Sequence, residues 1–338
     1  MTRRLCLASP SRGIAGPASF QRRLAAGLTA RGYAVAYGLA DRPYDAILVS
    51  GGTRHLAALR AARSARIPIV QRLDGINWIH RRRPTGWKHF LRAEINNLLL
   101  RATRRLAGAV VYQSAFVREW WERAYGIAAA PAVVIHNGVP LEVYTPDGPR
   151  AARGEGPRLL LLEAHLAGGY EIGLEWAADL ALRLRRAKTP NLELTVAGEV
   201  PPATQHRGLG AEWITWLGAV PPGDVPALAR SATVLFASDV HPACPNSVIE
   251  ALACGLPVVG FETGALCEVV GEEAGRVVPF GGDPWRLESP DLAALAEAAG
   301  GILESPKSFR TAARARAEAL FNVDRMIDSY LRVLGWAT

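Results

Sequence analysis

Residues 238–282 read SDVHPACPNSVIEALACGLPVVGFETGALCEVVGEEAGRVVPFGG, and the order of apolar and turn residues within them decides the fold. Asn246, Ser247 and Glu250 open a helix whose next residues, Ala251 to Cys254, are small. Gly255 and Pro257 stop it, and Pro257 to Phe261 form a short β-branched strand. A glycine turn, a second helix and a second strand follow, so the polar residues fall in the loops that an open parallel sheet presents to a ligand. A helix start also carries unpaired N–H groups and a partial positive charge, and a phosphate satisfies both. Asn246 or Ser247 equally suits a plain helix cap, with Glu250 as a first-turn acid favoured by the dipole.

The alternation continues upstream. Arg158–Leu162, Leu192–Ala197, Trp213–Leu217 and Ala232–Ala237 read as strands, with helices over Glu171–Arg186 and Val225–Arg230. Before them, Pro140 to Pro157 is a linker by its proline, glycine and charge. The first half repeats the pattern, with strands at Arg4–Ala8, Ala34–Leu39, Asp45–Val49, Pro68–Leu73, Ala109–Ser114 and Ala132–His136 and helices over 20–31, 87–106 and Phe116 to Tyr125. Two doubly wound parallel sheets are expected, in domains 1–142 and 158–320 joined by a linker at 143–157. Further helices are expected over 312–319 and 323–334. Gly13 and Gly16 let the backbone after the first strand approach a ligand, although their spacing is not GxGxxG. Asp74 ends the fourth strand, where such sheets put their chemistry, and it also suits a turn cap.

A chain of 338 residues with 49% hydrophobic content exceeds one comfortable core. Without a signal-like leader or an apolar run long enough to span a bilayer, a soluble intracellular protein is the expectation. Cys6, Cys244, Cys254 and Cys267 have no zinc-site spacing and read as buried reduced thiols. The net charge of +8 is concentrated in residues 76–125, where ten basic residues face three acids. The helix over 87–106 puts Phe90, Leu91, Ile95, Leu98, Leu99 and Leu106 mainly on one face, with Arg92, Arg101, Arg104 and Arg105 elsewhere. An ordinary surface helix shares that pattern, but Trp78, Trp87 and the three arginines 81–83 point to an anionic membrane surface. No aromatic-basic repeat or zinc module speaks for a nucleic-acid partner.

The run NSVIEALACGLPVV, the later Gly264-x-x-x-Glu268 and AGRVVPFG, VIHNGV over 134–139, and SRGIAGPASFQRRLAAGLTARGY near the start together resemble a family-4 glycosyltransferase. The resemblance implies the GT-B fold: two Rossmann-like domains facing across a cleft, with a last helix over 321–338 crossing back to the first. It implies transfer of a sugar from a nucleotide-diphosphate donor to a saccharide or lipid-linked acceptor, with retention of configuration and with neither metal nor cofactor. The donor belongs to the C-terminal domain and the acceptor to the N-terminal one. Together with the basic segment 76–125, a cytoplasmic protein peripheral on the inner face of the membrane is expected. Carried onto this sequence, Glu250 accepts hydrogen bonds from the ribose hydroxyls. The backbone of Asn246, Ser247 and Val248 faces the diphosphate, and Gly264, Ala265 and Leu266 lie near the donor sugar. Gly13 and Gly16 approach the phosphates, and the region from Gly198 to Trp216 selects the base.

Two departures stand out. The family pairs two glutamates eight apart, and the position eight before Glu250 is Pro242, with His241 and Asp239 as nearby polar substitutes. Relatives also carry an arginine and a lysine after the first strand of the second domain, where this chain reads LLLLEAHLAGGYEIG with only His165 as a cation. Asp74, His165 and His241 are therefore the candidate catalytic groups. The missing cations leave a second reading beside the enzyme, a non-catalytic GT-B protein that binds a nucleotide or a partner transferase.

Overall fold

The computed structural model describes residues 2–336 except 12, 14, 15, 153, 155, 168 and 202–211. The chain divides into two compact units, Met1–Gly138 with Asn322–Thr338, and Val139–Phe321.

In the first unit, β1 (Arg4–Leu7), β2 (Ala34–Ala36), β3 (Ala46–Ser50), β4 (Ile69–Leu73), β5 (Ala109–Tyr112) and β6 (Ala132–Val134) pair in the order β2-β1-β3-β4-β5-β6, all parallel. Helices α1 (Gly16–Ala30), α2 (Leu56–Ser64), α3 (Trp87–Leu106) and α4 (Ala115–Tyr125) connect them. The central strands are buried along their length, which is why they read as apolar runs rather than as alternation. Among their polar side chains, Gln71 Nε2 donates to the Gly51 and Leu100 carbonyls, and Arg72 Nη2 to Asn137 Oδ1 at 2.6 Å.

In the second unit, β7 (Arg158–His165), β8 (Glu193–Glu199), β9 (Ile214–Gly218), β10 (Val234–Ala237), β11 (Val258–Phe261) and β12 (Gly275–Val278) pair in the order β12-β11-β10-β7-β8-β9, again all parallel. Its helices are α5 (Ile172–Ala187), α6 (Val225–Ser231), α7 (Asn246–Ala253), α8 (Leu266–Val270), α9 (Leu292–Glu304) and α10 (Pro306–Leu320). The segment after Val139 packs on this unit. Tyr144 is buried, Arg230 donates to the Thr145 and Pro149 carbonyls, and Arg314 donates to those of Leu141 and Tyr144.

The last helix, α11 (Val323–Val333), lies in the first unit against α1, with Phe20 and Tyr330 rings 5.3 Å apart and Met326, Ile327 and Leu331 in the core. Gly27 lets α1 approach closely there, since a Cβ would displace the end of the Ile327 side chain.

The expected pair of doubly wound sheets is present, and local details differ. α9 was not among the expected helices: Asp291 caps it by accepting from the Ala293 and Ala294 amides, and Gly300 and Gly301 sit inside it. α10 begins at Pro306, earlier than the expected 312, because proline suits a helix first turn. Cys267 is exposed rather than buried, while Cys6, Cys244 and Cys254 are buried, and all four are free thiols. Among the described residues no helix is long and apolar enough to cross a membrane.

Candidate functional site

Doubly wound sheets bind ligands at the carboxyl ends of the strands, where the strand order reverses. In the second unit the reversal falls between β7 and β10, whose chain neighbours lie on opposite sides of them. Leu159 and Leu160 pair with Val234 and Leu235, and continuing that register brings Glu163 beside Ser238, with Asp239 next in the chain. The Ser238 hydroxyl hydrogen-bonds the Glu163 carboxyl. Burial, and after it the charge of Asp239, push Glu163 up to about 8, the Ser238 bond acting the other way. Burial also pushes Asp239 up to about 7, against a bond from the Val240 backbone. Two glycines allow the crowding. A Cβ on Gly198, whose φ is 147°, would overlap the Glu163 carbonyl, and one on Gly173 would come within 2.7 Å of Ser238 Cβ.

From Asp239 the chain turns through His241 at φ 60°. The His241 ring is buried and stacks on Trp285, with centroids 3.6 Å apart and planes at 20°. Burial lowers it to about 4, against the charge of Asp283, so the imidazole is neutral near pH 7. The loop is tied to the turn after β11. His241 N donates to Thr263 Oγ1 at 3.4 Å, and Ala265 N to the Pro242 carbonyl at 2.8 Å. Gly264, at φ 58°, has room for no side chain, since its Cβ would meet His241 C and Pro242 N at 2.5 Å. His241, Pro242, Gly264, Ala265 and Leu266 thus form one rigid wall.

The third component is α7. Its N-cap is Pro245, which has no side-chain acceptor, so neither Asn246 nor Ser247 caps the helix; both lie in its first turn with Val248. Val248 to Ala253 are buried, Glu250 among them, and Gly255 closes the helix with φ 67°. At the far end Arg314 donates to the Ala253 carbonyl at 2.8 Å, a cation where the dipole favours one.

His165 stands apart from these contacts. Its Nδ1 pairs with Glu199 Oε2 at 2.8 Å, with both side chains more than half exposed. No lysine or arginine lies between β7 and α5 or between β10 and α7. Among the described residues no three His, Cys, Asp or Glu side chains converge to hold a metal ion. Of the base-selecting region from Gly198 to Trp216, positions 202–211 lie outside the described residues.

In the first unit the reversal falls between β1 and β3. Gly13, exposed at φ 90°, sits in the loop after β1, its carbonyl accepting from Arg22 Nη1 at 2.7 Å, and Gly16 starts α1. Gln21 buttresses that loop, donating to the Ser9 carbonyl and accepting from Ser11 N. Asp74 ends β4. Burial raises its carboxyl, Arg72 opposes that, and its carbonyl accepts from Trp121 Nε1 at 2.7 Å.

Sequence reasoning offered Asp239 only as a polar substitute near Pro242, gave Glu163 no role and did not single out Trp285. The signal for the two acids was their place, immediately past two apolar strands. Trp285 carries no comparable signal, because its stacking on His241 is a tertiary contact.

The profile described as glycosyl transferases group 1 matches residues 157–305, and that of glycosyltransferase family 4 matches residues 7–143. The chain is 28% identical over 162 residues to the 2-deoxystreptamine N-acetyl-D-glucosaminyltransferase of Streptomyces fradiae, a match spanning 44% of this chain and 36% of that enzyme. Among solved structures it resembles a sucrose-phosphate synthase from Thermosynechococcus elongatus, with TM-score 0.76, 17% identity and 98% of each chain covered. It also resembles the Anabaena protein HepE solved with UDP-glucose, with TM-score 0.70, 16% identity and coverage of 98% and 99%.

Proposed function

The chain belongs to the family-4-like glycosyltransferases of GT-B fold, and from that premise we propose that it transfers a sugar from a nucleotide-diphosphate donor to a saccharide or lipid-linked acceptor, with retention and without a metal. The donor binds the second unit. The first-turn amides of α7, at Asn246, Ser247 and Val248, take the diphosphate along the helix dipole. Glu250 accepts from the ribose hydroxyls, and the wall of Gly264, Ala265 and Leu266 lies against the donor sugar. Gly198 keeps the end of β8 close to β7 beside it.

The observation that carries this reading is the convergence of an uncapped α7 start with the tied 241–242 and 263–266 segments in a unit whose strand order reverses at β7 and β10. The absent cations have a substitute in the protonated form of Glu163. Near pH 7 a carboxyl held at about 8 is mostly neutral; it does not repel a diphosphate and has a proton to donate to it. Neutral His241 is a hydrogen-bonding group at the same loop. In the first unit, Asp74 is the carboxyl assigned to the acceptor hydroxyl, its raised proton affinity suiting a base.

A panel of UDP-, GDP- and ADP-sugars tests the proposal through released nucleotide diphosphate, with the anomeric configuration of the product read by NMR. Turnover of one donor with retention, undiminished by a chelator, is expected. Nucleotide binding without turnover of any donor by any acceptor would overturn it.

A further inference from the structure

The chain leaves β12 through Phe280, which is buried against Phe261 and Trp176, with ring centroids 5.2 and 5.7 Å away. Residues 283–291, DPWRLESPD, then lead to α9. Gly281, at φ 91°, turns the chain where a Cβ would meet Asp291 Cβ at 2.9 Å, and Asp291 N donates to the Phe280 carbonyl at 2.7 Å. Within the loop, Asp283 Oδ1 accepts from Trp285 N at 2.9 Å, and Asp283 N donates to Glu288 Oε2 at 2.8 Å. Leu287 takes a left-handed backbone, φ 56°, that closes the turn. Trp285 is therefore held in one place, stacked on His241.

Burying an imidazole does not by itself call for a tryptophan, since any apolar side chain can cover a ring. The indole adds a second flat surface: it lies nearly parallel to the imidazole and is itself only partly buried. Beside the pair stand Pro242, Gly264, Ala265 and Leu266, so the wall they form carries no ionised side chain. Of the charges in the loop, Arg286 is already paired with the Asp283 carboxylate at 3.3 Å. An aromatic face carries negative charge density, which repels a phosphate and attracts weakly positive C–H groups. A pyranose presents such C–H groups on its faces and its hydroxyls around the rim. The surface therefore suits the sugar of a nucleotide-diphosphate donor and not its phosphates.

We infer that Trp285 is a donor-specificity residue: its indole, fixed by the 281–288 loop and seated on His241, is the surface against which the C–H face of the transferred pyranose lies. Pro242 offers that sugar no carboxylate, so its placement at this wall comes from shape and stacking. The inference deepens the transferase reading and rests on it for the identity of the ligand. Nucleotide diphosphates, which lack the sugar, separate the two.

The test is calorimetric titration of the full chain with UDP-glucose, UDP-N-acetylglucosamine, GDP-mannose and ADP-glucose, each beside its own diphosphate. Working at about pH 7.5 keeps the imidazole neutral in every variant, because an uncovered histidine titrates near about 6.5. The wild type is expected to bind at least one sugar nucleotide together with its diphosphate. Trp285→Ala should weaken that sugar nucleotide about fivefold or more and the diphosphate less than about twofold. Trp285→Phe, which keeps an aromatic face, should stay within about twofold of the wild type on both. Trp285→Leu covers His241 without an aromatic face and should bind the sugar nucleotide as weakly as Trp285→Ala; with Trp285→Phe it carries the comparison if circular dichroism shows the alanine variant unfolded. A Trp285→Leu variant equal to the wild type, an equal loss of sugar nucleotide and diphosphate, or a wild type that binds a diphosphate but no sugar nucleotide would each overturn the inference and leave the nucleotide site intact. Failure to bind any diphosphate would overturn the donor reading, and the inference with it.

Discussion

Glu163 and Asp239 stand at the adjoining ends of β7 and β10, and burial followed by the Asp239 charge pushes the Glu163 carboxyl up to about 8. An acid pair therefore occupies the point where the strand order reverses. In its protonated form it is compatible with a phosphate ligand; fully ionised it is not.

The stability of the fold should record this directly. An ordinary glutamate releases its proton near 4.5, while folded Glu163 keeps its proton up to about 8. The stability that this difference contributes is present below about pH 4.5 and is lost as pH rises through about 8. In Glu163→Gln that slope should flatten, as measured by urea unfolding at a series of pH values. A slope unchanged by the substitution would place the proton elsewhere.

Trp285→Ala should uncover the His241 ring. Folded His241 is neutral down to about 4 against an ordinary 6.5, so its contribution is present above about pH 6.5 and lost as pH falls through about 4. Losing the stacked ring should raise its titration midpoint toward 6.5, followed by NMR of the imidazole protons. The fold should lose about 1 kcal/mol from the aromatic pair alone. A midpoint that stays near 4 would mean that other groups bury the ring.

Gly264→Ala should separate the turn after β11 from His241 and Pro242. A left-handed backbone costs a non-glycine residue about 1 to 2 kcal/mol, and the added Cβ also meets backbone at 2.5 Å. Nucleotide affinity is expected to fall about tenfold, while Gly13→Ala, whose Cβ meets nothing within 4 Å, should disturb the fold less. Calorimetric titration of the two variants makes the comparison.

Much of this was legible in the sequence. Apolar runs such as Leu159 to Leu162 and Val258-Val259 announced buried parallel strands, and the 246–282 pattern located α7, β11 and the glycine turn. The amphipathic character of α3 was also legible, but not which face turns inward. That depends on Asn97 and Thr103 meeting the backbone of Asn77 and Thr53, loops that only the fold brings to them. The protonation of Glu163 was illegible for the same reason, since a distant strand supplies Asp239 and Ser238. His165 was read as the one cation near β7, and its pairing with Glu199 is a tertiary contact that the sequence does not show.

The most direct test of the central claim, that the reversal point of the second unit is the donor site, is a titration of nucleotide diphosphate binding from about pH 6 to about pH 9. The wild type should bind with an affinity that falls as pH passes about 8 and Glu163 ionises. Glu250→Gln should bind about tenfold or more weakly throughout, since a bond to a charged acceptor is worth about 1.5 to 3 kcal/mol. An affinity that rises with pH, or is indifferent to Glu250, would contradict the account.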